Sequence, residues 1–317
     1  MTIKRNPGMN LNLDWIESIQ VNKSAIERRA QTLGTRRSVK KKHQAAWLLK
    51  AITLIDLTTL AGDDTELRVK RLCAKAKKPI RHDLVAALGI EDLNLTTGAI
   101  CVYHDMLTTA AKALKGTGIN LAAVSTGFPA GLTPVHLKIA EIKESVTAGA
   151  NEIDIVITRK HVFSENWQAL YDEVKAYREA CGEAHMKTIL ATGEISTLRN
   201  VAKASMVCMM AGADFIKTST GKESVNATLP VSLTMIRQIR EYQQRTGYKI
   251  GYKPAGGISK AKDSLVYLSM MKEELGDDWL QADLFRFGAS SLLGDIERQL
   301  EHHITGHYSA AYRHAIG

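Results

Sequence analysis

The sequence lacks the features that mark several classes of protein. Its 317 residues contain no apolar run of the roughly 18 residues that a membrane-spanning helix needs, and the first residues lack the apolar core of a secretory signal. Its 4 cysteines are far apart and form no CxxC pair, so they predict reduced thiols rather than a disulfide framework. Metal-ligand spacing is also missing, because the adjacent His302 and His303 would not share one helix face. These absences predict a cytoplasmic protein without a membrane span or a metal site.

The composition is that of an ordinary globular protein, with 45% hydrophobic and 24% charged residues. Much of the net charge of +9 lies in the N-terminal third, for example at Lys40, Lys41 and Lys42. A solvated helix face is the simplest interpretation of this charge. A nucleic-acid surface is the alternative, but no aromatic interleaving or binding motif accompanies the charge. The sequence therefore does not favour nucleic acid as a partner.

From residue 50 onward, short β-rich runs alternate with amphipathic helical stretches. Eight strands are predicted, at residues 52–57, 99–103, 121–126, 152–158, 187–192, 214–218, 248–253 and 284–287. Eight βα units in about 250 residues predict an α/β fold of the (β/α)8 TIM barrel type. An open doubly wound sheet is the runner-up, but no GxGxxG follows the first strand, which disfavours its dinucleotide-binding form.

We expect a single domain in three segments. Residues 1–49 predict an N-terminal helical extension, in which Trp15, Ile16 and Ile19 dock onto the barrel. Residues 50–300 predict the barrel, and residues 301–317 a C-terminal tail. No Pro/Ser-rich linker separates the extension from the barrel.

Two lysines stand at predicted strand ends, each before a turn that contains glycine. Lys217 and Lys253 both end apolar runs. An unpaired ammonium rarely occupies a strand, because burying it without partners is costly. A second cation nearby depresses the pKa of an amine and makes it a nucleophile. The pair therefore predicts an enzyme that forms a Schiff base on one lysine beside a second cation; a lysine that snorkels to solvent is the alternative.

An internal similarity places a carboxylate beside Lys217. Residues 148–154 and 211–217 both start with Ala-Gly-Ala, whose glycine suits a helix C-cap, and both continue into a strand. Asp154 and Lys217 each stand five residues after that glycine, on the fourth and sixth strands. Alternate strands contribute to one interior layer, so we expect both side chains at one level near the strands' carboxyl ends, where active sites of this fold lie. A buried structural salt bridge is the alternative.

Glycine-rich loops follow the seventh and eighth predicted strands, at residues 256–257 and 288–291. Barrels of this kind often bind phosphate in these two loops, at the N-terminus of a short helix. Backbone N–H groups, the hydroxyls of Ser290 and Ser291, and the charge of Lys222 therefore predict a phosphate site.

Six short segments, in order, cover most of the chain: residues 56–60, 101–103, 152–154, 215–222, 253–257 and 287–291. Their combination resembles the deoxyribose-phosphate aldolase family, the class I aldolases that cleave 2-deoxyribose 5-phosphate. The N-terminal extension resembles the animal branch of that family. The resemblance implies reversible cleavage to D-glyceraldehyde 3-phosphate and acetaldehyde, in deoxyribose catabolism, without a metal or organic cofactor.

The resemblance also implies roles for particular residues. Lys217 would form the Schiff base, Lys253 would lower its pKa and take part in proton transfer, and Asp154 would be the acid/base carboxylate. The substrate-binding residues implied are Asp56, Thr58, Cys101, Thr220, Gly221, Lys222, Gly256, Gly257, Gly288, Ser290 and Ser291.

The chain departs from the family pattern at two places. Ser259 and Lys260 stand where the family usually has arginine, so phosphate binding is expected to depend more on backbone donors or on Lys260. His104 replaces a usual proline. The family's tail can bring a tyrosine to the active site, and Tyr308 and Tyr312 are both candidates.

Two other functions stay open at this point. Another Schiff-base barrel enzyme, a transaldolase or a different sugar-phosphate aldolase, would use the same lysine. A basic nucleic-acid-binding or scaffolding protein with a degenerate barrel is the other, although the intact Lys217, Lys253 and Asp154 argue against degeneracy. A homo-oligomer is compatible with the sequence, which does not define its size.

Overall fold

The centre of the protein is a parallel β-barrel surrounded by helices, in a computed structural model that describes residues 5–36 and 39–314. The strands are β1 (Ile55–Thr58), β2 (Ala99–Val102), β3 (Asn120–Ser125), β4 (Glu152–Val156), β5 (His185–Ile189), β6 (Phe215–Lys217), β7 (Gly251–Lys253) and β8 (Phe287–Ala289). Their order is β7-β6-β5-β4-β3-β2-β1-β8, with every pairing parallel. Single bridges between Tyr252 and Phe285 and between Ala255 and Gly288 join β8 to β7. The predicted barrel is confirmed, and the open sheet is wrong.

The helices cover the outside of the barrel and supply its N-terminal extension. The α-helices are α1 (Leu13–Ser18), α2 (Lys23–Arg36), α3 (Lys41–Ile52), α4 (Glu66–Lys77), α5 (His82–Leu88), α6 (Leu107–Leu114), α7 (Val135–Thr147), α8 (Lys160–Phe163), α9 (Trp167–Ala180), α10 (Leu198–Met210), α11 (Leu229–Thr246), α12 (Ala261–Leu275) and α13 (Leu292–Thr305). Short 3₁₀ helices occupy Glu91–Leu93, His104–Met106, Asp277–Trp279 and Ala311–Arg313. Threonine side chains cap α4, α10 and α11 by accepting a backbone N–H of the first turn, as N-caps do.

The strand boundaries differ from the prediction by up to three residues at the first, fifth, seventh and eighth strands. The apolar run at 52–57 begins in the last residue of α3, and β1 starts only at Ile55. Burial does not distinguish a helix end from a strand, because Ile52 and Ile55 are both fully buried. Hydrophobicity alone therefore could not mark where the chain changes conformation.

The N-terminal helices pack against the barrel's outer helices. Trp15, Ile16 and Ile19 are buried, as expected. The Trp15 ring stacks on Tyr242 of α11 with centroids 6.3 Å apart, and its indole N–H donates to Glu241 at 2.9 Å. Because α3 runs from Lys41 to Ile52, it continues past the predicted segment boundary at residue 49.

Part of the positive charge of the N-terminal third is used inside the fold. Arg29 of α2 pairs with Glu273 and, at 3.6 Å, with Glu274, both on α12. Lys40, Lys41 and Lys42 are exposed, as expected for a solvated face. Within residues 5–36 and 39–314, no helix combines the length and apolar character needed to cross a bilayer.

The C-terminal tail folds back along α13. Arg298 donates to the Ser309 carbonyl at 3.1 Å, and the buried His314 lies 3.0 Å from Glu301. Tyr308 stacks on His302 of α13 with ring centroids 4.1 Å apart, whereas Tyr312 is 87% exposed. Both tyrosines therefore lie on the outer surface beside α13.

Candidate active site

The barrel interior holds a connected set of charged side chains, which we call the interior network. Its carboxylates are Asp56, Glu152 and Asp154, and its cations are Lys187, Lys217, Lys253 and Arg286. All of them are buried. Period-two alternation explains the arrangement, because inward-facing positions recur at every second residue of a strand.

Asp154 joins the two strand-end lysines. Its Oδ2 accepts a hydrogen bond from the Nζ of Lys217 and another from the Nζ of Lys253, each at 2.7 Å. Its Oδ1 lies 3.4 Å from the Nζ of Lys187. The predicted proximity of Asp154 and Lys217 is therefore present in the structure, and one carboxylate serves three amines.

Lys253, Arg286 and Lys187 connect Asp154 to Asp56 and Glu152. Asp56 lies 2.5 Å from the Nζ of Lys253 and accepts from Arg286 at 2.6 Å. Arg286 also donates to Glu152 at 2.8 Å, and Lys187 pairs with the same carboxylate. Buried charges persist only when they are paired in this way, since an unpaired one would be strongly destabilising.

The network shifts the pKa values of the two strand-end lysines in opposite directions. Burial, the largest contribution, lowers the pKa of Lys217; Asp154 opposes this shift, and Lys253 adds to it. Burial also disfavours the charged form of Lys253, yet Asp154 and Asp56 together raise the pKa of Lys253. The pKa of Lys217 is thus lowered as expected, but desolvation contributes more than the second cation does.

The formal charges of the interior network bear on the role of Lys217 as the nucleophile. Although burial acts in the other direction, Lys217 and Lys253 hold the pKa of Asp154 well below its usual range. Three carboxylates face four basic groups, which are Lys187, Lys217, Lys253 and Arg286. The interior network is therefore neutral when the amine of Lys217 is uncharged, which is the form that can act as a nucleophile.

A cavity of about 290 Å³, which we call the rim cavity, opens at the carboxyl ends of the strands. It is lined by Lys217 together with Thr58, Leu60, Thr220, Gly221, Lys222, Ala255, Gly256, Gly257, Ile258, Ser259, Gly288, Ala289, Ser290 and Ser291. Lys253 and Asp154 do not line it and are fully buried. Of the two strand-end amines, Lys217 alone faces the space that a substrate could enter.

Glycines of the loop after β7 and of β8 line this cavity. Gly256 has φ +77°, and a side chain there would also meet Asn226. A Cβ at Gly288 would lie 2.7 Å from the Cβ of Ala255 and 3.3 Å from Lys253, so only glycine fits beside the lysine. Ser290 and Ser291 directly precede α13, whose N-terminus therefore faces the cavity.

Among the remaining predicted residues, three have clear contacts. Thr58 lines the cavity and donates to the Asp56 carbonyl at 2.7 Å. The Nζ of Lys222 donates to the carbonyl of Leu60 at 2.9 Å, across the mouth of the cavity. Cys101 is fully buried in a small apolar cluster with Ala122 and Val124, and burial raises the pKa of its thiol.

The positions that differ from the family pattern do not all lie at the rim cavity. Ser259 lines the rim cavity, whereas Lys260 does not and is exposed. The N-terminus of α12 is occupied by Asp295, whose carboxylate accepts from Ala261 N at 2.7 Å. His104 Nδ1 lies 3.0 Å from the hydroxyl of Ser145. Neither Tyr308 nor Tyr312 lines the cavity.

Sequence reasoning missed Lys187, Glu152 and Arg286. A signal was present, because Glu152 precedes Asp154 by two residues and Arg286 precedes Gly288 by two, which places each pair on one face. Lys187 is likewise a charged residue inside an apolar strand. Larger hollows of about 730 and 790 Å³ lie elsewhere, between α4 and α5 and beside α2, but neither is lined by a member of the interior network.

An eight-stranded parallel barrel with a lysine amine facing a cavity at its carboxyl ends is the architecture of a barrel enzyme. The model of the DeoC/LacD family aldolases matches residues 50–296. The deoxyribose-phosphate aldolase of Homo sapiens is 60% identical over 307 residues, 96% of each chain, and that of Mus musculus is 61% identical over 305 residues, 96% of each. The chain belongs to the DeoC/LacD aldolase family.

Solved structures agree on the fold. The tetrameric deoxyribose phosphate aldolase from Aeropyrum pernix superposes with a TM-score of 0.61 at 21% identity, over 86% of this chain and 97% of the other. At this identity the likeness supports the barrel architecture alone.

Proposed function

We propose that this aldolase cleaves 2-deoxy-D-ribose 5-phosphate reversibly to D-glyceraldehyde 3-phosphate and acetaldehyde through a Schiff base on Lys217. The observation that carries the proposal is that Lys217 lines the rim cavity while its Nζ donates to Asp154 at 2.7 Å. The human and mouse relatives, named deoxyribose-phosphate aldolases, support the choice of substrate.

The reaction begins with the neutral amine of Lys217, which attacks the C1 aldehyde of the open-chain sugar. Loss of water gives an iminium ion, which is an electron sink. The C3 hydroxyl then loses its proton, its oxygen forms the new carbonyl, and the C2–C3 bond electrons move into an enamine. Asp154 is the proton acceptor, acting with Lys253 and a water molecule. D-Glyceraldehyde 3-phosphate leaves first.

The second half of the reaction returns the enzyme to its starting state. The enamine takes a proton at C2, and water hydrolyses the resulting iminium to release acetaldehyde and the free amine. Asp154 bonds both lysine amines in the resting network, so a proton can pass between Lys253 and the reacting centre. Lys253 is cationic again at the end of each cycle, and Lys217 passes from neutral amine through iminium and enamine back to neutral amine.

The 5-phosphate would occupy the loops after β6, β7 and β8. Gly257 offers a backbone N–H group, Ser290 and Ser291 offer hydroxyls, and Lys222 offers a point charge. Gly256 and Gly288 line the same space, but their N–H groups donate to the carbonyls of Gly288 and Pro254. Because Lys260 does not line the cavity, backbone donors and Lys222 are expected to provide most of the phosphate affinity.

The proposal includes three further expectations. The enzyme needs no metal or organic cofactor, so dialysis against a chelator should leave its activity unchanged. It acts in the cytoplasm in deoxyribose catabolism, which cell fractionation would test. A homo-oligomer is expected, and sedimentation equilibrium would measure its size.

Borohydride trapping tests the proposed chemistry. Reduction in the presence of acetaldehyde or 2-deoxyribose 5-phosphate should add one reduced two-carbon unit to the peptide that contains Lys217. Lys217→Ala should abolish the label, whereas Lys222→Ala should retain it. A label on Lys253 or Lys222 would contradict the assignment, and a lack of acetaldehyde release in a panel of sugar phosphates would favour a transaldolase or another aldolase.

A further inference from the structure

The loop after β6 carries a carboxylate that has no role in the mechanism. Glu223 accepts hydrogen bonds from the backbone N–H of Thr220 at 3.0 and 3.1 Å and from that of Gly221 at 3.2 Å. In the part of the chain that the structure describes, no lysine or arginine forms an ion pair with Glu223. Two backbone amides therefore hold this anion without a cation.

The same two residues line the rim cavity, and so does the neighbouring Lys222. Successive backbone N–H groups that converge on one anion form the kind of concavity that binds phosphate oxygens. In this loop the amides are already bonded to an anion that belongs to the protein. A phosphate dianion that approaches Lys222 would meet the negative charge of Glu223, and like charges at short range repel.

The Glu223 carboxylate is free to move without breaking the fold. It is half-exposed, and its carboxylate accepts hydrogen bonds from residues two and three positions earlier in the same loop. The backbone stays anchored, because the Glu223 carbonyl accepts from Asn226 at 3.0 Å. Release of the carboxylate would therefore cost only local hydrogen bonds.

We propose that Glu223 is a specificity-determining residue that competes with the substrate's phosphate for the amides of Thr220 and Gly221. The inference rests on the proposed function, since it assigns the rim cavity to the phosphate. Substrate binding exchanges the internal carboxylate for the phosphate oxygens. The exchange sets the affinity for phosphorylated sugars and leaves the affinity for unphosphorylated ones unchanged.

Glu223→Gln separates charge from loop geometry, because the side-chain amide keeps an acceptor oxygen and loses the negative charge. We expect the Kd of inorganic phosphate, measured by calorimetry, to fall about three- to tenfold, with a similar fall in KM for the phosphorylated sugar. The kcat and KM for unphosphorylated 2-deoxyribose should not change. The gain should shrink between about 0.05 and about 0.5 M salt, because ions screen exposed charges.

Glu179→Gln, at an exposed glutamate in the last turn of α9, is the matched control and should leave every value unchanged. Unchanged or weaker phosphate binding in Glu223→Gln would overturn the proposal and assign Glu223 to holding the loop in shape. A gain that persists at high salt would also overturn it. Because phosphate binding is measured without turnover, failure of this inference is distinguishable from failure of the enzyme to cleave 2-deoxyribose 5-phosphate.

Discussion

The interior network and the rim cavity differ in how their parts depend on one another. In the network, Asp154 serves three amines and Arg286 bridges two carboxylates, all buried. At the rim, separate loops contribute backbone amides, hydroxyls and the exposed Lys222. Loss of one network member leaves the buried charges unbalanced, whereas loss of one rim donor leaves the others in place.

The interior network is the region proposed for the chemistry, and the rim cavity is the region proposed for recognition of the phosphate. Desolvation and the neighbouring Lys253 lower the pKa of Lys217, whereas Asp154 and Asp56 raise the pKa of Lys253. The rim remains in contact with solvent, so each of its contacts contributes less. Substitutions in the two regions should therefore differ in size and in kind.

The largest effect is expected for Asp154→Asn. The variant keeps the shape of the side chain but removes the charge that pairs with Lys217, Lys253 and Lys187. Activity should fall by about 10²–10⁴-fold through loss of the proton acceptor, and the free energy of unfolding should fall by about 3–5 kcal/mol. Steady-state kinetics and denaturant unfolding measure the two losses. If both values stayed near those of the unmodified enzyme, the network would not be coupled through Asp154.

Lys253→Met should change both rate and pH dependence. Removing this cation removes its repulsion of the charged form of Lys217 and leaves Asp154 with one partner fewer, so the pKa of Lys217 should rise. The rising limb of the pH–rate profile should therefore move to higher pH. The rate should fall about 10²–10⁴-fold from lost proton transfer. Burial of Lys217 persists in this variant, so the limb should stay below that of an ordinary lysine.

Lys253→Arg is the matched control for charge. It keeps a cation beside Asp154, so its rising limb should stay near that of the unmodified enzyme even if the rate falls. If the limb of Lys253→Met did not move, desolvation alone would set the pKa of Lys217.

A smaller and more selective effect is expected for Lys222→Ala at the rim. Binding of the phosphorylated sugar should weaken by about 1.5–3 kcal/mol, the scale of a hydrogen bond to a charged group. Reaction of unphosphorylated 2-deoxyribose should barely change. Lys260→Ala should have no such effect, because Lys260 does not line the cavity. Equal slowing of both sugars would place Lys222 nearer the chemistry than the phosphate.

The smallest effects are expected for the tail tyrosines. Tyr308 stacks on His302 and Tyr312 is exposed beside α13, so Tyr308→Phe and Tyr312→Phe should leave kcat/KM within about twofold. Steady-state kinetics on the phosphorylated sugar checks this. A large loss in either variant would show that the tail leaves α13 and reaches the rim cavity in solution.

Much of this arrangement was predictable from local pattern. The alternation of apolar strands and amphipathic helices predicted the barrel, and equal spacing after two glycines predicted that Asp154 and Lys217 would meet. Strand ends were less predictable, since Ile52 and Ile55 are equally buried in a helix and a strand. Lys187, Glu152 and Arg286 were missed because the sequence does not show which partners on other strands a charged residue of one strand will meet.

The barrel, the two strand-end lysines and the glycine loops were predictable from the sequence, because these features follow from periodicity and local backbone requirements. That Lys217 lines the cavity while Lys253 is fully buried became clear only from the tertiary structure. It also decided that Asp154 is shared, that burial outweighs Lys253 in lowering the pKa of Lys217, and that Glu223 occupies the loop amides. Desolvation and pairing depend on distances between residues far apart in the chain, and those distances exist only after folding.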